Sequence, residues 1–204
     1  TSTTTSFEKL RDASIGGQET KPARTTVQPY REVLERLFIL DPLPGWKPTR
    51  SHIAELGLPP KHHLADPALA ARLLGATADT LLAGRSTGPR IPRDGTLLGA
   101  LFESLMTLSF RVYAQPSEAR VGHLRTHRGG HEVDLIIERA DGGVVAVECK
   151  LGEAPDDRTV RHLKWLSDQI GEELLDAIVI TTGSEAYRRA DDGIAVVPAA
   201  LLGP

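Results

Sequence analysis

The stretch Glu132-Val133-Asp134-Leu135-Ile136-Ile137-Glu138-Arg139-Ala140-Asp141-Gly142-Gly143-Val144-Val145-Ala146-Val147-Glu148-Cys149-Lys150 decides the fold. Two runs rich in β-branched residues flank a turn of Ala, Asp and Gly, which is the pattern of a β-hairpin. Strand parity puts Glu148 and Lys150 on one face and Val147 and Cys149 on the other. The face taken by Asp134 depends on the turn. A three-residue loop, Ala140-Asp141-Gly142, with glycine in the left-handed position sets Arg139 opposite Gly143, Glu138 opposite Val144 and Asp134 opposite Glu148, so that both acids share a face. A two-residue Asp141-Gly142 turn sets Asp134 opposite Cys149 and separates them.

Outward from the hairpin, the pattern predicts further strands at 119–126, 176–182 and 194–197, and a helix at 157–169 that buries Val160, Leu163 and Leu166. Upstream, residues 94–113 form the strongest helical pattern, with Leu97, Leu101, Leu105, Leu108 and Val112 as one apolar stripe and Leu98, Phe102 and Met106 widening it. The expectation is a largely buried helix. Residues 7–40 read as two helices around a polar turn, the second carrying Val33, Leu34, Leu37 and Phe38 at helical spacing and capped by Thr25 or Thr26. This pair resembles a small winged-helix unit, and generic helix packing gives the same pattern. Prolines and glycines make 41–60 a loop or linker, and a short strand at 61–65 then meets Asp66, placed to cap a helix that starts at Pro67. The expected organisation is a helical, winged-helix-like segment and linker over 1–60, a strand-helix connector over 61–90 and an α/β domain over 91–204.

With 40% hydrophobic and 25% charged residues the composition is that of a globular protein. No apolar run approaches the roughly 20 residues that cross a bilayer, and no signal pattern opens the chain, so the expected setting is cytoplasmic, without a membrane partner. A single cysteine, Cys149, excludes an internal disulfide and a cysteine-rich zinc site. The net charge of −3 gives no overall basic footprint for nucleic acid and leaves room only for a local groove. The polar opening at Thr1 reads as a cut inside a longer protein, and no G-x-x-x-x-G-K-[ST] loop is present to bind a nucleotide.

Glu103 is the only charged residue between Asp94 and Arg111, and Gly99 one turn earlier leaves room for close approach. A buried carboxylate requires an arginine or amide partner at the core edge, or a metal. Asp134 and Glu148 side by side likewise require a cation between them, which magnesium or manganese supplies while keeping waters for a phosphate and a nucleophile. Lys150 then positions or activates that water, stabilises charge on the phosphate, or only neutralises its acidic neighbours. A metal site and a solvated ion-pair face both fit these residues. His123, His127 and His131 recur every four residues, yet on a strand and turn they make a poor zinc site. Arg125, Arg128, Arg161 and Lys164 line a groove for a polyanion such as DNA, or else form the wet face of their elements.

Asp134 and Glu148-x-Lys150 on successive strands, with Glu103 on a preceding helix, resemble the PD-(D/E)xK nuclease superfamily. The order Gly99-x-x-Phe102-Glu103, Arg125-Thr126, Glu132-Val133-Asp134, Glu148-Cys149-Lys150 and Val196-Val197-Pro198 more closely resembles the uncharacterised C-terminal domain that follows an AAA-type ATPase module in many bacterial and archaeal proteins. The segment from Lys61 to Pro67, a lysine-led strand entering an Asp-started helix, belongs to the same likeness, which spans roughly residues 24 to 204. It implies a restriction-endonuclease-like fold, an N-terminal ATPase partner carrying the phosphate-binding loop, and DNA as substrate. It further implies Asp134 and Glu148 as ligands of Mg2+ or Mn2+, Lys150 as catalytic lysine and Glu103 as the carboxylate completing the site. The proline that often precedes the first acid is replaced by Val133. The resemblance also admits a non-catalytic module that keeps the fold and binds nucleic acid or protein.

Overall fold

The computed structural model describes residues 23–46, 60–82, 97–126 and 129–203. Among these, a mixed sheet of six strands is flanked by helices, in the strand order β1-β2-β3-β4-β6-β5. The strands are β1 Arg120–Arg125, β2 Glu132–Glu138, β3 Val144–Cys149, β4 Leu174–Thr181, β5 Tyr187–Arg188 and β6 Ala195–Pro198. The helices are α1 Arg24–Arg36, α2 Pro67–Leu73, α3 Ala78–Leu82, α4 Leu97–Ala114 and α5 Asp157–Ile170. β1 to β3 form an antiparallel meander, α5 crosses from β3 to its parallel neighbour β4, and β6 pairs parallel to β4.

The hairpin turn settles the register. Gly142 sits at φ 89 and donates its N–H to the Arg139 carbonyl at 3.0 Å, while Arg139 N–H meets the Gly143 carbonyl at 2.9 Å. Asp141 Oδ1 accepts from Gly143 N–H at 3.0 Å, which fixes the loop locally. The pairs Glu138↔Val144, Ile137↔Val145, Ile136↔Ala146 and Leu135↔Val147 follow, as the three-residue loop requires. β2 also carries an irregularity against β1, for β1 advances from Gly122 to Leu124 while β2 advances from Ile136 to Val133. The extra residue falls at Asp134-Leu135, and a bulge there re-aims side chains at the strand end.

Two apolar layers enclose the sheet. Val133, Ile136, Val144, Ala146 and Val179 pack with Val160, Leu163, Leu166 and Ile170 of α5. On the other side Leu135, Val147, Cys149 and Ile180 pack with Phe102, Met106 and Phe110 of α4. α4 buries Leu101 and Met106 of the expected face, with Phe102 packed on the same cluster, while Leu105 and Val112 of that face are exposed. By length and composition alone Leu97–Ser117 is apolar enough to cross a membrane, which corrects the expectation that no such run exists. Here it lies against the sheet, with Glu103 and Arg111 both in ion pairs.

Before α4 the chain adds to the β1 edge. Trp46 N–H donates to the His123 carbonyl at 2.7 Å and His123 N–H to the Pro44 carbonyl at 3.0 Å. Gly122 permits this approach, because a Cβ there would stand 3.1 Å from the Pro44 oxygen. Residues 61–64 then pair with 40–43 through the bridges Leu43↔Lys61 and Leu40↔Leu64, where a strand was expected. Asp66 caps α2 by accepting from Ala68 N–H at 2.7 Å, as expected. α1 is capped by neither Thr25 nor Thr26, since Ala23 holds the N-cap position without a side-chain bond. The first helix of the expected pair lies outside the described residues. Tyr30, Val33, Leu37 and Phe38 of the α1 region are exposed, Phe38 at 81% and in the left-handed conformation.

Replacing Gly142 by alanine should cost about 1–2 kcal/mol, because a Cβ at that positive φ is strained. Urea denaturation measures the loss.

Candidate functional site

The register that sets Leu135 opposite Val147, carried one step further, brings Asp134 beside Glu148. Backbone geometry holds both in place. Glu148 lies on β3 across from Val179 of β4, and Lys150 N–H donates to the Ile180 carbonyl at 2.9 Å, which continues the pairing past the strand end. Asp134 Oδ2 accepts from Cys149 N–H at 3.0 Å and so ties β2 to β3 at the site.

A residue from far upstream completes the cluster. The Lys61 ammonium lies 2.8 Å from Glu103 Oε1, 3.0 Å from Asp134 Oδ1 and 3.2 Å from Glu132 Oε1, and Lys61 is only 2% exposed. The expected arginine or amide partner of Glu103 is thus a lysine on another segment. That segment is fastened to α4 at further points, where Ser104 Oγ meets His63 Nδ1 at 3.2 Å and Arg111 pairs with Asp41 and donates to the Pro42 carbonyl at 3.0 Å. Burial, followed by the charge of Lys61, lowers the His63 pKa to about 3, so this histidine stays neutral.

Charge sets the protonation of the corner. Burial opposes the charged form of Lys61, but Asp134, Glu103 and Glu132 more than offset it and hold the ammonium well above its ordinary range. Burial likewise penalises the Asp134 carboxylate, while Lys61 and the Cys149 N–H outweigh that and lower its pKa. Glu148 goes the other way, because burial and the Asp134 charge push it up to about 8 against the relief given by Lys150. Lys150 Nζ is 3.2 Å from Glu148 Oε1, and although burial acts to lower its pKa, Glu148 and Asp134 raise it overall. Lys150 is therefore a fixed cation rather than a base. Burial and Asp134 raise the Cys149 thiol well above its ordinary value, which leaves it an inert core residue.

Glu148 Oε2 is buried and has no hydrogen-bond partner, on a residue 6% exposed. That orphaned oxygen beside Asp134 fits a hard cation, which takes carboxylate oxygens and keeps its own waters. Among the described residues no group of three or more His, Cys, Asp or Glu side chains is already set as a metal cage. Asp134 and Glu148 would be the residues that hold a divalent ion, as two ligands of a site otherwise filled by water and substrate.

Of the basic residues expected to form one groove, Arg125 pairs opposite Glu132 and Arg161 adjoins His162, which feels the charges of Glu132 and Lys150, whereas Lys164 lines a different groove. Arg125 ends β1, and Arg161 lies on the exposed side of α5, where its Nε donates to His162 Nε2 at 3.0 Å. Lys164 lines a groove with Asp168, Asp176, Asp191 and Asp192 beside the start of β4, whereas Glu148 and Cys149 pair with Val179 and Ile180 nearer its end. Acidic walls do not suit a polyanion. Arg128 and His127 lie outside the described residues. His131 stacks on Trp165 with ring centroids 4.0 Å apart and meets His162 Nδ1 to Nδ1 at 3.3 Å, so its partners come from α5 and not from the β1 histidine.

Sequence reading missed Lys61 and Glu132 as members of the cluster. The available signal was charge, since several acids with one lysine leave a corner that needs another cation.

Glu148 gives a pH signature. Its folded pKa of about 8 lies above the ordinary 4.5, so the folded state binds the extra proton. The associated stability is complete below about pH 4.5 and is lost as pH rises toward 8. Relative to Glu148→Gln, which keeps the neutral form at every pH, the wild type should lose roughly 5 °C or more of Tm between pH 5 and 8. Thermal melts of both proteins across that range read the difference, and parallel curves would contradict it.

Comparison with known proteins adds family membership. A family model described as a domain of unknown function (DUF4143) matches residues 98–202, which include Glu103, Asp134, Glu148 and Lys150. A second model, also described as a domain of unknown function (DUF8612), matches residues 1–80, which include Lys61. No curated protein matches the chain. Since the first model covers more than half of its 204 residues, the chain belongs to the DUF4143 family.

Proposed function

We propose that this chain is a restriction-endonuclease-like domain of the PD-(D/E)xK kind that hydrolyses phosphodiester bonds in DNA with the help of magnesium or manganese. The observation that carries this reading is the closeness of Asp134 to Glu148, with Asp134 bonded to the neighbouring Cys149 N–H and its charge acting on Glu148, and with a buried Glu148 oxygen left without a partner. The order of strands and helices supports it too, since a meander followed by a parallel crossover brings an acid of β2, an acid of β3 and the lysine two residues later to one place.

In this reading the residues divide the work by their protonation. Asp134, kept ionised by Lys61 and the Cys149 N–H, is a permanent carboxylate. Glu148 holds a proton near neutrality and releases it when a stronger cation arrives. Lys150 is 47% exposed in its side chain and protonated, so it meets a phosphate oxygen as a charge donor and does not activate water as a base. A divalent ion held by Asp134 and Glu148 would supply Lewis-acid stabilisation of the phosphate. Glu103, through Lys61, orients Asp134 from the α4 side.

The proposal extends to a partner. The resemblance of the ordered motifs to the domain following AAA-type ATPase modules supports an ATPase as neighbour, and the sequence itself carries no nucleotide-binding loop. The exposed apolar side of α1 is the kind of surface that a protein neighbour covers.

One observation favours a second reading, a non-catalytic module that keeps the nuclease-like architecture to bind DNA or protein and regulate the ATPase. Lys61 already neutralises part of the corner, as a stable structural ion pair does.

The two readings separate in a cleavage assay on plasmid and single-stranded DNA with magnesium or manganese. Catalysis predicts metal-dependent cleavage that falls about a hundredfold or more in Asp134→Asn and in Lys150→Ala, with far-UV circular dichroism unchanged. DNA binding without cleavage at any metal concentration would support the non-catalytic module instead.

A further inference from the structure

Lys61 stands where the expected cation would compete for oxygens. Its ammonium takes one oxygen each from Glu103, Asp134 and Glu132, all within 3.2 Å, in a position almost closed to solvent. Asp134 has no uncommitted oxygen, because Oδ1 faces Lys61 and Oδ2 accepts the Cys149 N–H. A divalent ion drawn to Glu148 Oε2 and Asp134 therefore meets an ammonium already on the same carboxylate, and two cations so close in a buried corner repel. Carboxylates of this density also need some counter-charge at all times, so whichever cation leaves must be replaced by the other.

We propose that Lys61 is a built-in counter-ion of the acidic corner, which holds the metal-free state together and is displaced from Asp134 when a divalent cation binds. The inference rests on the reading of Asp134 and Glu148 as a metal site. The attachment of residues 61–64 suits such an exchange. Their backbone is held to residues 39–43 by paired hydrogen bonds, Leu43 N–H to the Lys61 carbonyl at 2.8 Å, Lys61 N–H to the Leu43 carbonyl at 2.9 Å and Asp41 N–H to the His63 carbonyl at 3.0 Å, so the long, flexible lysine stem can swing its ammonium while the segment stays in place. In such an exchange the N-terminal part of the chain supplies the counter-ion for carboxylates of the C-terminal part. The division matches the family boundaries, since Lys61 falls in residues 1–80 and the carboxylates in residues 98–202.

The test is titration calorimetry of the whole chain with manganese, comparing wild type, Lys61→Met and the double variant Lys61→Met/Glu148→Gln, with circular dichroism to check folding. A second measurement avoids variants. Wild-type protein is treated with an amine-acylating reagent with and without manganese, and labelling of Lys61 and of Lys150 is read by mass spectrometry. The proposal expects Lys61→Met to bind manganese roughly tenfold or more tighter than wild type, with the gain removed by Glu148→Gln. It also expects acylation of Lys61 to rise several-fold when manganese binds. Equal manganese affinity in folded wild type and Lys61→Met, both sensitive to Glu148→Gln, would leave the metal site standing and overturn the exchange. Manganese binding to wild type with Lys61 still unlabelled would overturn it equally. If neither protein binds manganese, the exchange and the metal reading fall together.

Discussion

The buried ammonium of Lys61 allows three carboxylates to share one corner of this molecule. Glu103 comes from α4, Glu132 and Asp134 from β2, and without a cation among them the mutual repulsion of these partly buried acids would drive the elements apart or force protonation. The ion pairs do more than neutralise. They fix where α4 crosses the end of β2, and they anchor an upstream segment to it. Removing one partner of such a cluster leaves an uncompensated buried charge, which is why the arrangement behaves as a unit.

Glu148 gains least from this neutralisation, for Lys61 is the weakest of the groups that relieve it. It shares the corner with Asp134, yet its cation, Lys150, is half in solvent, and one of its oxygens has no partner. Burial, and then the Asp134 charge, raises the Glu148 pKa, while Lys61 and the Cys149 N–H outweigh the burial of Asp134 and lower its own. Adjacent carboxylates with pKa values driven apart are a common mark of sites that take up a proton or a cation. Here the asymmetry follows from geometry, because Asp134 turns toward Lys61 at a bulge while Glu148 stays in regular pairing with β4.

Much of this was legible in the sequence because it depends on local rules. The hairpin and its two possible registers follow from Ala140-Asp141-Gly142 and from period-two alternation, both encoded within a few residues, and the structure takes the three-residue loop. The Asp66 cap and the α5 crossover are local in the same way. What escaped was non-local. Lys61 reaches Asp134 across 73 positions, and nothing near Lys61 announces its partner. The buried side of α4 was only partly legible for a related reason, since leucine spacing marks apolar surface but not which side meets the sheet, and Phe102, Met106 and Phe110 meet it while Leu105 and Val112 face out. β5, only Tyr187–Arg188, is too short to leave a periodic signal.

The position of Lys61 also bears on what kind of site this is. A lysine that served only to hold elements together could sit between Glu103 and Glu132 and leave Asp134 alone. Instead it takes the Asp134 oxygen not engaged by the Cys149 N–H. Its effect falls on the carboxylate whose ionisation matters most to any cation arriving at Glu148. An ammonium at that point keeps Asp134 charged and the corner intact, and it raises the threshold for a second cation, since any newcomer must outbid a contact already made at 3.0 Å. Structural support and restraint of the site are thus carried by one contact, and a segment outside the DUF4143 match supplies it.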